Sequence, residues 1–417
     1  MDKFIVKGGK SLNGEVQISG AKNAALPIFA AALLASGKFT IRRVPKLRDT
    51  ITMIRLLEII GAEIEFKDST LEIDTTKCHN PEAPYDLVKT MRASFYVLGP
   101  LVARFGRAKV SLPGGCAWGP RPVDFHITAM KQMGVQIDLE EGYILAKAEK
   151  LKGNKISFKF PSVGATGNVL MAAVLAEGKT TIHNAAREPE IICLCEFLNK
   201  MGAEIVGIGT HELTVDGVSA LKPVEFEVIP DRVEAATFLI AGTLLSDELV
   251  IKGADRNHLE TIFTKLEQAG CNLEVENDFI KINRVERLKP IDVTTAVYPG
   301  FPTDVQAQWL ALMSLADGTS VITDTIYNDR FTHVAELNRL GAKISLNDNV
   351  ATVDGVKSLK GAHVMSTDIR ASASLVLAAL AAEGVTEISR IYHIDRGYER
   401  IEEKFSSVGA DISRIHK

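Results

Sequence analysis

The stretch LLEIIGAEIEF at residues 56–66 decides the fold, because its hydrophobic pattern changes at Gly61. The residues before Gly61 have the apolar spacing of a helix, and those after it alternate as in a strand. Glycine at the junction is the expected left-handed cap of the helix. The pattern recurs at intervals of 68 to 73 residues, in MKQMGVQIDL (130–139), LNKMGAEIVGI (198–208), LEQAGCNLEV (266–275), LNRLGAKISL (337–346) and FSSVGADISRI (405–415).

A second pattern alternates with the first and consists of an Ala- and Leu-rich helix, a turn and a β-rich segment. Its copies are ALPIFAAALLASGKFTI (25–41), FYVLGPLVARFGRAKVSL (95–112), VLMAAVLAEGKTTI (169–182), ATFLIAGTLLSDELVI (236–251), QWLALMSLADGTSVI (308–322) and SLVLAALAAEGVTEI (374–388). These helices have almost no polar face, which predicts that they are buried. Six units of about 70 residues predict an α/β fold with internal pseudo-symmetry, grouped three and three, in which sheets enclose the apolar helices.

The composition disfavours several classes of protein. With 417 residues and 46% apolar content the chain can fill a large core, and its net charge of −4 and 6% aromatic content disfavour a nucleic-acid binder. The apolar stretches are too short to span a membrane, and the N-terminus MDKFIVKGGK lacks the apolar core of a signal peptide. Five cysteines, an odd number in no metal-ligand spacing, predict a cytoplasmic protein with reduced thiols. No nucleotide-cofactor motif or histidine cluster is present, so we expect no metal and no cofactor.

Charged residues stand at the start of several buried helices. Lys22, Arg92 and Arg370 each precede the turn of their repeat by 14 or 15 residues. A cation at this place opposes the helix dipole, and a bound anion would resolve the conflict. The alternative is a solvated surface charge. Asp304 occupies the same place in the fifth repeat, where the alternative is that Thr303 or Asp304 caps the helix.

Three further arginines, Arg121, Arg330 and Arg396, lie in short segments with Gly, Pro or Asp. Guanidinium groups suit bidentate recognition of carboxylates and phosphates. These arginines therefore predict a highly anionic small substrate. The alternative is a structural ion pair between each arginine and the aspartate near it in sequence, namely Asp124, Asp329 and Asp395.

Cys116 is the cysteine with the most unusual surroundings. Three glycines and two prolines crowd the segment around it, which predicts a mobile, exposed loop. An exposed thiol near Arg121 is a candidate for a lowered pKa, and the alternative is an unreactive loop cysteine. The remaining cysteines lie in or beside helix or strand patterns and are predicted to be small core residues: Cys78, Cys193, Cys195 and Cys271.

Taken together, the motifs resemble one family. ISGAKNAALP, KTMRAS, LPGGCAWGPRPVDFH, SVGAT, AAREPEI, PGFPTDVQAQ, DRFTHVAEL, TDIRASASLVLAAL and IYHIDRGYERIE are similar, in order along the whole chain, to the UDP-N-acetylglucosamine 1-carboxyvinyltransferases. These are the MurA enolpyruvyl transferases of the EPSP synthase superfamily. The resemblance implies two inside-out, barrel-like α/β domains of three repeats each, formed by residues 1–20 with 230–417 and by residues 21–229. It also implies an active site in the cleft between the domains.

The resemblance implies the first committed step of peptidoglycan biosynthesis. In that reaction the enolpyruvyl group of phosphoenolpyruvate is transferred to the 3′-hydroxyl of UDP-N-acetylglucosamine, and phosphate is released through a tetrahedral ketal. No redox cofactor and no obligatory metal take part. The antibiotic fosfomycin, a phosphonate mimic of phosphoenolpyruvate, is the inhibitor that the resemblance implies.

The resemblance also implies a role for each candidate residue. Cys116 would be the general acid and would form a covalent adduct, and Asp304 would be the base or proton relay at the 3′-hydroxyl. The implied phosphoenolpyruvate ligands are Lys22, Arg121 and Arg396, supported by Arg92, Arg330 and Arg370. The residues implied to contact the reacting centre and the nucleotide sugar are Asn23, Arg121, Pro122, Val123, Asp124, Phe125, Ser162, Val163, Gly164 and Ile326.

Two alternatives stay open at this point. One is the sibling transferase that acts on shikimate 3-phosphate, although LPGGCAWGPRPVD is not typical of it. The other is a non-catalytic sensor of a nucleotide sugar, which the presence of Cys116, Asp304, Lys22 and Arg396 disfavours. One departure from the family is Phe160, which stands close to where some relatives carry a lysine, so one charged contact to the diphosphate is in doubt. The sequence leaves open whether a protein partner regulates the chain.

Overall fold

Each repeat of the sequence contributes helices and one four-stranded sheet. The structure is a computed structural model, and it describes residues 2–112, 123–277 and 279–416. The α-helices of these residues are α1 (Lys22–Ala32), α2 (Arg48–Ile60), α3 (Tyr85–Val88), α4 (Leu98–Phe105), α5 (Asp124–Gln132), α6 (Val163–Ala173), α7 (Pro189–Met201), α8 (Arg232–Leu245), α9 (Glu260–Gln268), α10 (Gln306–Met313), α11 (His333–Arg339), α12 (Ile369–Ala381) and α13 (Ile401–Ser407).

The strands are short and follow the helices at regular intervals. They are β1 (Lys3–Lys7), β2 (Leu12–Gln17), β3 (Lys38–Arg42), β4 (Glu63–Lys67), β5 (Thr70–Asp74), β6 (Glu82–Ala83), β7 (Arg107–Ser111), β8 (Gln136–Glu140), β9 (Tyr143–Lys147), β10 (Lys155–Ser157), β11 (Lys179–His183), β12 (Glu204–Val206), β13 (Glu212–Asp216), β14 (Glu225–Glu227), β15 (Ser246–Lys252), β16 (Leu273–Val275), β17 (Phe279–Ile282), β18 (Val293–Thr294), β19 (Thr319–Thr323), β20 (Lys343–Asn347), β21 (Val350–Asp354), β22 (His363–Met365), β23 (Val385–Ser389) and β24 (Asp411–Ile415). Short 3-10 helices cover Arg92–Val97, Arg256–His258, Thr303–Val305 and Ile391–Arg396.

The sheets of the described residues all have one strand order. In the sheet β6-β7-β9-β8, for example, β6 pairs in parallel with β7, and β9 pairs antiparallel with both β7 and β8. The other sheets repeat this arrangement as β14-β3-β5-β4, β10-β11-β13-β12, β2-β15-β17-β16, β18-β19-β21-β20 and β22-β23-β1-β24. The sequence prediction of a repeated α/β architecture is therefore confirmed.

Three of these sheets join strands that are distant in sequence, and this divides the chain. One of them pairs β2 with β15. The first strand, β1, is the inner strand of the last sheet, between β23 and β24, and β14 pairs with β3. The chain accordingly forms one compact unit from Met1–Ser19 and Pro230–Lys417, called the discontinuous unit below, and another from Gly20–Ile229, called the inserted unit. Each unit contains three of the sheets.

The Ala- and Leu-rich helices form the core of each unit, as predicted. Every residue of α10 is buried, and so is every residue of α1 from Ala24 onward. In the discontinuous unit α10 packs against α8 and α12, and in the inserted unit α4 packs against α6. The glycines of the helix-to-strand junctions all have positive φ angles, between 89° and 110°, as left-handed caps require. In the part of the chain that the structure describes, no helix is long and apolar enough to cross a membrane.

Two of the buried helices begin differently from the expectation of a plain α-helix. The second and fifth open with 3-10 turns, Arg92–Val97 and Thr303–Val305, before α4 and α10. Pro100 explains the first case, because proline has no N–H to donate to the carbonyl of residue 96. Loss of that bond favours the tighter 3-10 geometry in the turn before it.

Candidate active site

In the discontinuous unit, a buried ion cluster forms around Asp304 at the start of the fifth repeat's helix. Its Oδ1 lies 2.8 Å from Nη2 of Arg330, and its Oδ2 accepts a hydrogen bond from Nη2 of Arg370. The side chains of Arg330 and Arg370 are only 9% and 8% exposed, and that of Asp304 is 23% exposed. Asp304 thus binds one arginine from the segment before α11 and one from α12, and no side chain caps the 3-10 turn in which it lies.

The cluster fixes the charge of its members. Burial alone would raise the pKa of Asp304. The charges of Arg370 and Arg330 lower this pKa by more than burial raises it, so the pKa lies well below the usual range of an aspartate. Burial lowers the pKa of Arg370, and Asp304 raises it above the usual range of arginine. One carboxylate between two guanidinium groups leaves the trio with an excess positive charge, which suits an anionic ligand.

A buried aspartate, Asp324, builds the support for this cluster. Its Oδ1 accepts hydrogen bonds from the backbone N–H groups of Ile326 and Tyr327, both at 2.9 Å. Its Oδ2 accepts a hydrogen bond from Thr303 Oγ1 at 2.7 Å, and the same Thr303 Oγ1 accepts one from Arg330 Nη1 at 3.1 Å. Asp324 therefore orders the turn that carries the half-buried Ile326, and through Thr303 it orders the guanidinium of Arg330.

Beneath the cluster lies a small polar network within the core. Gln308 Nε2 donates to the backbone carbonyl of Asp304 at 3.1 Å and to Tyr398 Oη at 3.1 Å. Tyr398 Oη also lies 2.8 Å from Thr237 Oγ1. Burial raises the pKa of Tyr398 to about 12, so its hydroxyl stays protonated. Through Gln308, the network holds the backbone carbonyl of Asp304 in place.

Several buried N–H donors of this unit have no hydrogen-bond partner. Among the described residues they include Nε of Arg330, Nε of Arg370 and Nε2 of Gln306, and Nε2 of His333 is a further buried nitrogen without a partner. Buried donors without partners are rare and costly in folded proteins, so they commonly mark a place where a ligand or water accepts the bond. Two of these four nitrogens belong to the Asp304 cluster, and we take that cluster as the centre of the candidate site.

Arg396 ends the 3-10 helix Ile391–Arg396 and is half-buried. The neighbouring Asp395 accepts hydrogen bonds from Arg414 Nη1 at 3.0 Å and Nη2 at 2.6 Å. Arg414 also binds Glu402, so it ties this helix to α13 and β24. Asp395 is thus engaged by an arginine other than its sequence neighbour, and Asp329, next to Arg330, is exposed.

In the inserted unit, Lys22 and Asp49 form a second buried pair. Lys22 is the first residue of α1, and its Nζ lies 3.4 Å from Oδ2 of Asp49 in the first turn of α2. Both residues are buried, at 7% and 5% exposure. The alternative of a solvated surface charge is therefore wrong for Lys22, as it is for Arg370. The half-buried Asn23 is next to Lys22 on α1.

Other predicted residues of the inserted unit lie at element starts. Arg92 opens the 3-10 helix before α4 and is half-buried. Val123 and the exposed Asp124 begin α5, and the ring of Phe125 lies 6.0 Å from that of Phe158. Cys116, Arg121 and Pro122 lie outside the described residues.

The first turn of α6 holds the predicted Ser162-Val163-Gly164 segment. Ser162 Oγ accepts a hydrogen bond from the backbone N–H of Ala165 at 3.3 Å and so caps the helix. A Cβ added at Gly164 would lie 3.2 Å from Cε1 and Nε2 of His126, so glycine allows the imidazole to approach the helix start. Burial, and then the charge of Arg92, lowers the pKa of His126 to about 3, so the ring is neutral.

Sequence reasoning missed Asp49, Asp324, His126 and His333. Asp49 and Asp324 carry no motif of their own, and only tertiary structure shows their side-chain partners. The histidines had a signal, because His126 and His333 both stand eight residues before the glycine of the helix-to-strand junction. The cysteine prediction is confirmed for the described cysteines, which are buried: Cys78, Cys193, Cys195 and Cys271.

Comparison with known proteins gives one consistent result. The family model of EPSP synthase (3-phosphoshikimate 1-carboxyvinyltransferase) matches residues 6–405. The chain is 56% identical to the UDP-N-acetylglucosamine 1-carboxyvinyltransferase of Chloroherpeton thalassium, over 99% of this chain and 97% of that protein. It is 53% identical to the protein of the same name from Myxococcus xanthus, over 99% of both chains.

Solved structures show the same architecture. The enolpyruvyl transferase NikO from Streptomyces tendae superposes with a TM-score of 0.91 at 28% identity, over 99% of this chain and 98% of that chain. The EPSP synthase from Acinetobacter baumannii, at 18% identity, superposes with a TM-score of 0.79 over the whole of both chains, which shows a shared fold. With a family model that matches nearly the whole chain and relatives more than half identical over its length, this chain belongs to the EPSP synthase family of enolpyruvyl transferases.

Proposed function

We propose that the protein is a UDP-N-acetylglucosamine 1-carboxyvinyltransferase of peptidoglycan biosynthesis. The observation that carries this proposal is the 56% identity over the full length to a protein of that name. The solved EPSP synthases are only 17–18% identical, so their likeness extends to the fold and not to the acceptor substrate. The acceptor is accordingly UDP-N-acetylglucosamine, and the donor is phosphoenolpyruvate.

The charges of the described residues suit these anionic substrates. Phosphoenolpyruvate carries a phosphate and a carboxylate, and guanidinium groups bind both in a bidentate manner. We assign its anionic groups to Lys22, Arg121 and Arg396, with Arg92, Arg330 and Arg370 in support. The unpartnered Nε groups of Arg330 and Arg370 favour this role, because an incoming oxygen would satisfy them. We assign the uridine and diphosphate to residues 121–125, to the first turn of α6 at 162–164 and to Ile326, with Asn23 at the reacting centre.

The proposed chemistry is an addition followed by an elimination. In the addition, Cys116 delivers a proton to the methylene carbon of phosphoenolpyruvate, the 3′-oxygen bonds to C2, and the 3′-hydroxyl gives up its proton. In the elimination, the methyl group loses a proton, the carbon–carbon double bond re-forms, and the bond to the phosphate oxygen breaks. The covalent adduct that the family resemblance implies would form on Cys116.

Asp304 is the proposed base or proton relay, and its surroundings define what it can do. With both oxygens held by arginines it is ionised at neutral pH and can accept a hydrogen bond from the 3′-hydroxyl. Its low pKa makes it a weak base while both contacts persist. Proton transfer to Asp304 therefore becomes favourable only if negative charge from the substrate draws one of the arginines away.

A substrate comparison tests the proposal. Phosphate release from phosphoenolpyruvate is measured with UDP-N-acetylglucosamine, with shikimate 3-phosphate and with no acceptor, and the nucleotide product is identified by mass. Phosphate release with the nucleotide sugar, and a product heavier by one enolpyruvyl group, are expected. Release with shikimate 3-phosphate alone would assign the chain to the sibling reaction. Binding of the nucleotide sugar without release would indicate a sensor.

The compartment is part of the proposal. The described cysteines are free and buried, as is usual for a protein of a reducing compartment. We place the enzyme in the cytoplasm, where the thiol of Cys116 would stay reduced. Labelling of Cys116 in freshly lysed cells by a thiol reagent, without prior reduction, tests this placement.

A further inference from the structure

Asn168 joins three elements in the core of the inserted unit. It is fully buried on α6, and its Oδ1 accepts a hydrogen bond from the backbone N–H of Gly99 at 2.9 Å. Its Nδ2 donates to the carbonyl oxygen of Phe95 at 3.0 Å and lies 2.9 Å from Nδ1 of His126. One amide thus links α6 to α4, to the 3-10 helix that precedes α4, and to α5.

These partners fix the orientation of the amide. The backbone N–H of Gly99 can only donate, and the carbonyl of Phe95 can only accept, so the amide oxygen must face Gly99 and the nitrogen must face Phe95. The second proton on Nδ2 then points to His126. Since an amide nitrogen donates and does not accept, Nδ1 of His126 must present a lone pair. A neutral imidazole with a lone pair on Nδ1 carries its proton on Nε2.

We propose that Asn168 is a positioning residue that holds His126 in the Nε2–H tautomer, so that His126 donates a hydrogen bond at the first turn of α6. The acceptor would be a diphosphate oxygen of the nucleotide sugar. This last step rests on the proposed function, whereas the tautomer follows from the contacts of Asn168 alone.

The place of the Nε2 edge supports a role toward an anion. It lies close enough to Gly164 that a Cβ there would come within 3.2 Å of it. Ser162 Oγ accepts the N–H of Ala165, while the first N–H groups of a helix have no partner within it. A proton on Nε2 adds one more donor to this helix start, whereas a lone pair there would repel a phosphate oxygen.

The neutral state of the ring makes the tautomer important. Burial, followed by the charge of Arg92, keeps the pKa of His126 far below neutrality, so only one ring nitrogen is protonated. The ring of Phe95 contacts the imidazole edge-on, with centroids 5.0 Å apart and planes at 89°, and holds its plane. Packing therefore sets the ring position, and Asn168 sets which nitrogen carries the proton.

The discontinuous unit offers an internal comparison. His333 stands where His126 does, eight residues before the junction glycine. The counterpart of Asn168 is Ser374, since each stands ten residues before the turn glycine of its repeat. Ser374 Oγ donates to the carbonyl of Ala371 in its own helix, so the amide junction belongs to the inserted unit.

Nitrogen NMR on the 15N-histidine-labelled enzyme tests the proposal. The signals of His126 are assigned by their absence in His126→Gln, and those of His333 are the control. In the ligand-free enzyme we expect an unprotonated Nδ1 and a protonated Nε2 for His126. In Asn168→Asp the new carboxylate accepts from Nδ1, so the proton should move to Nδ1 or both nitrogens should be protonated, while His333 keeps its shifts. A protonated Nδ1 in the unsubstituted enzyme would overturn the proposal.

Kinetics separate the positioning role from a merely structural one. Where the NMR shows Nε2 of Asn168→Asp to be unprotonated, we expect KM for UDP-N-acetylglucosamine to rise roughly 10-fold or more, the value of one hydrogen bond to a charged group. A doubly protonated ring keeps the Nε2 donor and should not raise this KM. The KM for phosphoenolpyruvate should change by less than about 3-fold. Equal changes in both constants would contradict the proposal.

A second pair of variants keeps the test valid if Asn168→Asp does not fold. At position 126, the side-chain amide nitrogen of glutamine can lie near the position of the histidine Nε2, whereas that of asparagine can lie near the position of Nδ1. His126→Gln should therefore retain more nucleotide-sugar affinity than His126→Asn, and equal losses would contradict the proposal. If the protein does not turn over the nucleotide sugar at all, the proposed function fails, yet the tautomer in the ligand-free protein still decides the role of Asn168.

Discussion

The two units share one architecture but carry different charges at the starts of their buried helices. In the discontinuous unit, one carboxylate, Asp304, lies between Arg330 and Arg370 and leaves an excess positive charge. In the inserted unit, Lys22 faces Asp49. In both units the middle parts of these helices are apolar and buried. The units therefore differ at the first residues of the helices, where charged side chains lie. The comparison teaches that the repeat supplies the scaffold and that the helix starts supply the chemistry.

The equivalent histidines differ in the same way. Both are neutral, since burial lowers the pKa of His126 to about 3 and that of His333 to about 4. Arg92 adds to the first shift and Arg330 to the second, whereas Asp368 opposes the second. Nδ1 of His126 is hydrogen-bonded to Asn168. Nε2 of His333 has no hydrogen-bond partner among the described residues, and the ring of His333 stacks with that of Phe331. One position of the repeat thus serves as a defined hydrogen-bond donor in one unit and as a packed aromatic residue in the other.

The largest expected effect concerns the thiol of the inserted unit. Alkylation of Cys116 by fosfomycin should abolish activity, because the sequence predicts an exposed thiolate beside cations. The described cysteines are buried, and burial raises the pKa of both Cys193 and Cys195 to about 12, so they should not react. Intact-mass analysis and peptide mapping should show a single adduct on Cys116.

The Cys116→Asp variant sharpens this prediction. It keeps a proton donor but removes the soft nucleophile, so it should stay active and resist fosfomycin. Its pH optimum should shift downward, because a carboxyl group titrates lower than a thiol. An inactivating adduct on Cys78 or Cys271 would overturn the assignment of Cys116.

Neutralising the carboxylate of the discontinuous unit should have the next largest effect. Asp304→Asn removes the charge that holds both arginines and the proposed acceptor of the 3′-hydroxyl proton, so kcat should fall roughly 10²- to 10⁴-fold. Asp354→Asn, at an exposed position of β21, is the control and should leave kcat unchanged. Circular dichroism should confirm that Asp304→Asn is folded. An Asp304→Asn enzyme with normal kcat would remove Asp304 from the proposed chemistry.

Arg396 separates the two substrates. Arg396→Ala should lose turnover while keeping most of its affinity for the nucleotide sugar, because its proposed partner is phosphoenolpyruvate. The loss of one charge-assisted contact corresponds to roughly a 10- to 150-fold change. Calorimetry with UDP-N-acetylglucosamine alone measures the retained affinity, and Arg287→Ala, at an exposed position, is the control. A large loss of nucleotide-sugar affinity would assign Arg396 to the other substrate.

The sequence predicted the periodic part of the molecule and missed the tertiary part. The six repeats, the glycine caps at residues such as Gly61 and Gly202, and the buried Ala-rich helices follow from local patterns. The charges at the helix starts were also identifiable, since they interrupt those patterns. The ion pairs that they form were not, because Asp49 and Asp304 reach Lys22 and Arg370 only after distant segments pack together. Asp324 was not identified for the same reason, since its side-chain partners, the hydroxyls of Thr295 and Thr303, lie more than 20 residues away in sequence.

The smallest expected effect is on the pH dependence of stability, and it compares the equivalent histidines directly. An unfolded histidine has a pKa of about 6.5, whereas His126 and His333 titrate near 3 and 4 when folded. Below the unfolded pKa the unfolded state binds more protons than the folded state, so acid favours unfolding. The stability due to each neutral ring is present above about pH 6.5 and is lost as the pH falls toward the folded pKa.

Each histidine should therefore add up to about 1.4 kcal/mol per pH unit to the slope of stability against pH within its window. The contribution of His333 should end near pH 4 and that of His126 nearer pH 3. Urea unfolding between about pH 6.5 and 4.5 should show a flatter slope in His126→Gln and in His333→Gln. The exposed His211→Gln should keep the slope of the unsubstituted protein. If His333→Gln flattened the slope and His126→Gln did not, the ring of His126 would be accessible to protons in the folded enzyme. The two histidines would then share a position in the repeat but not a protonation behaviour.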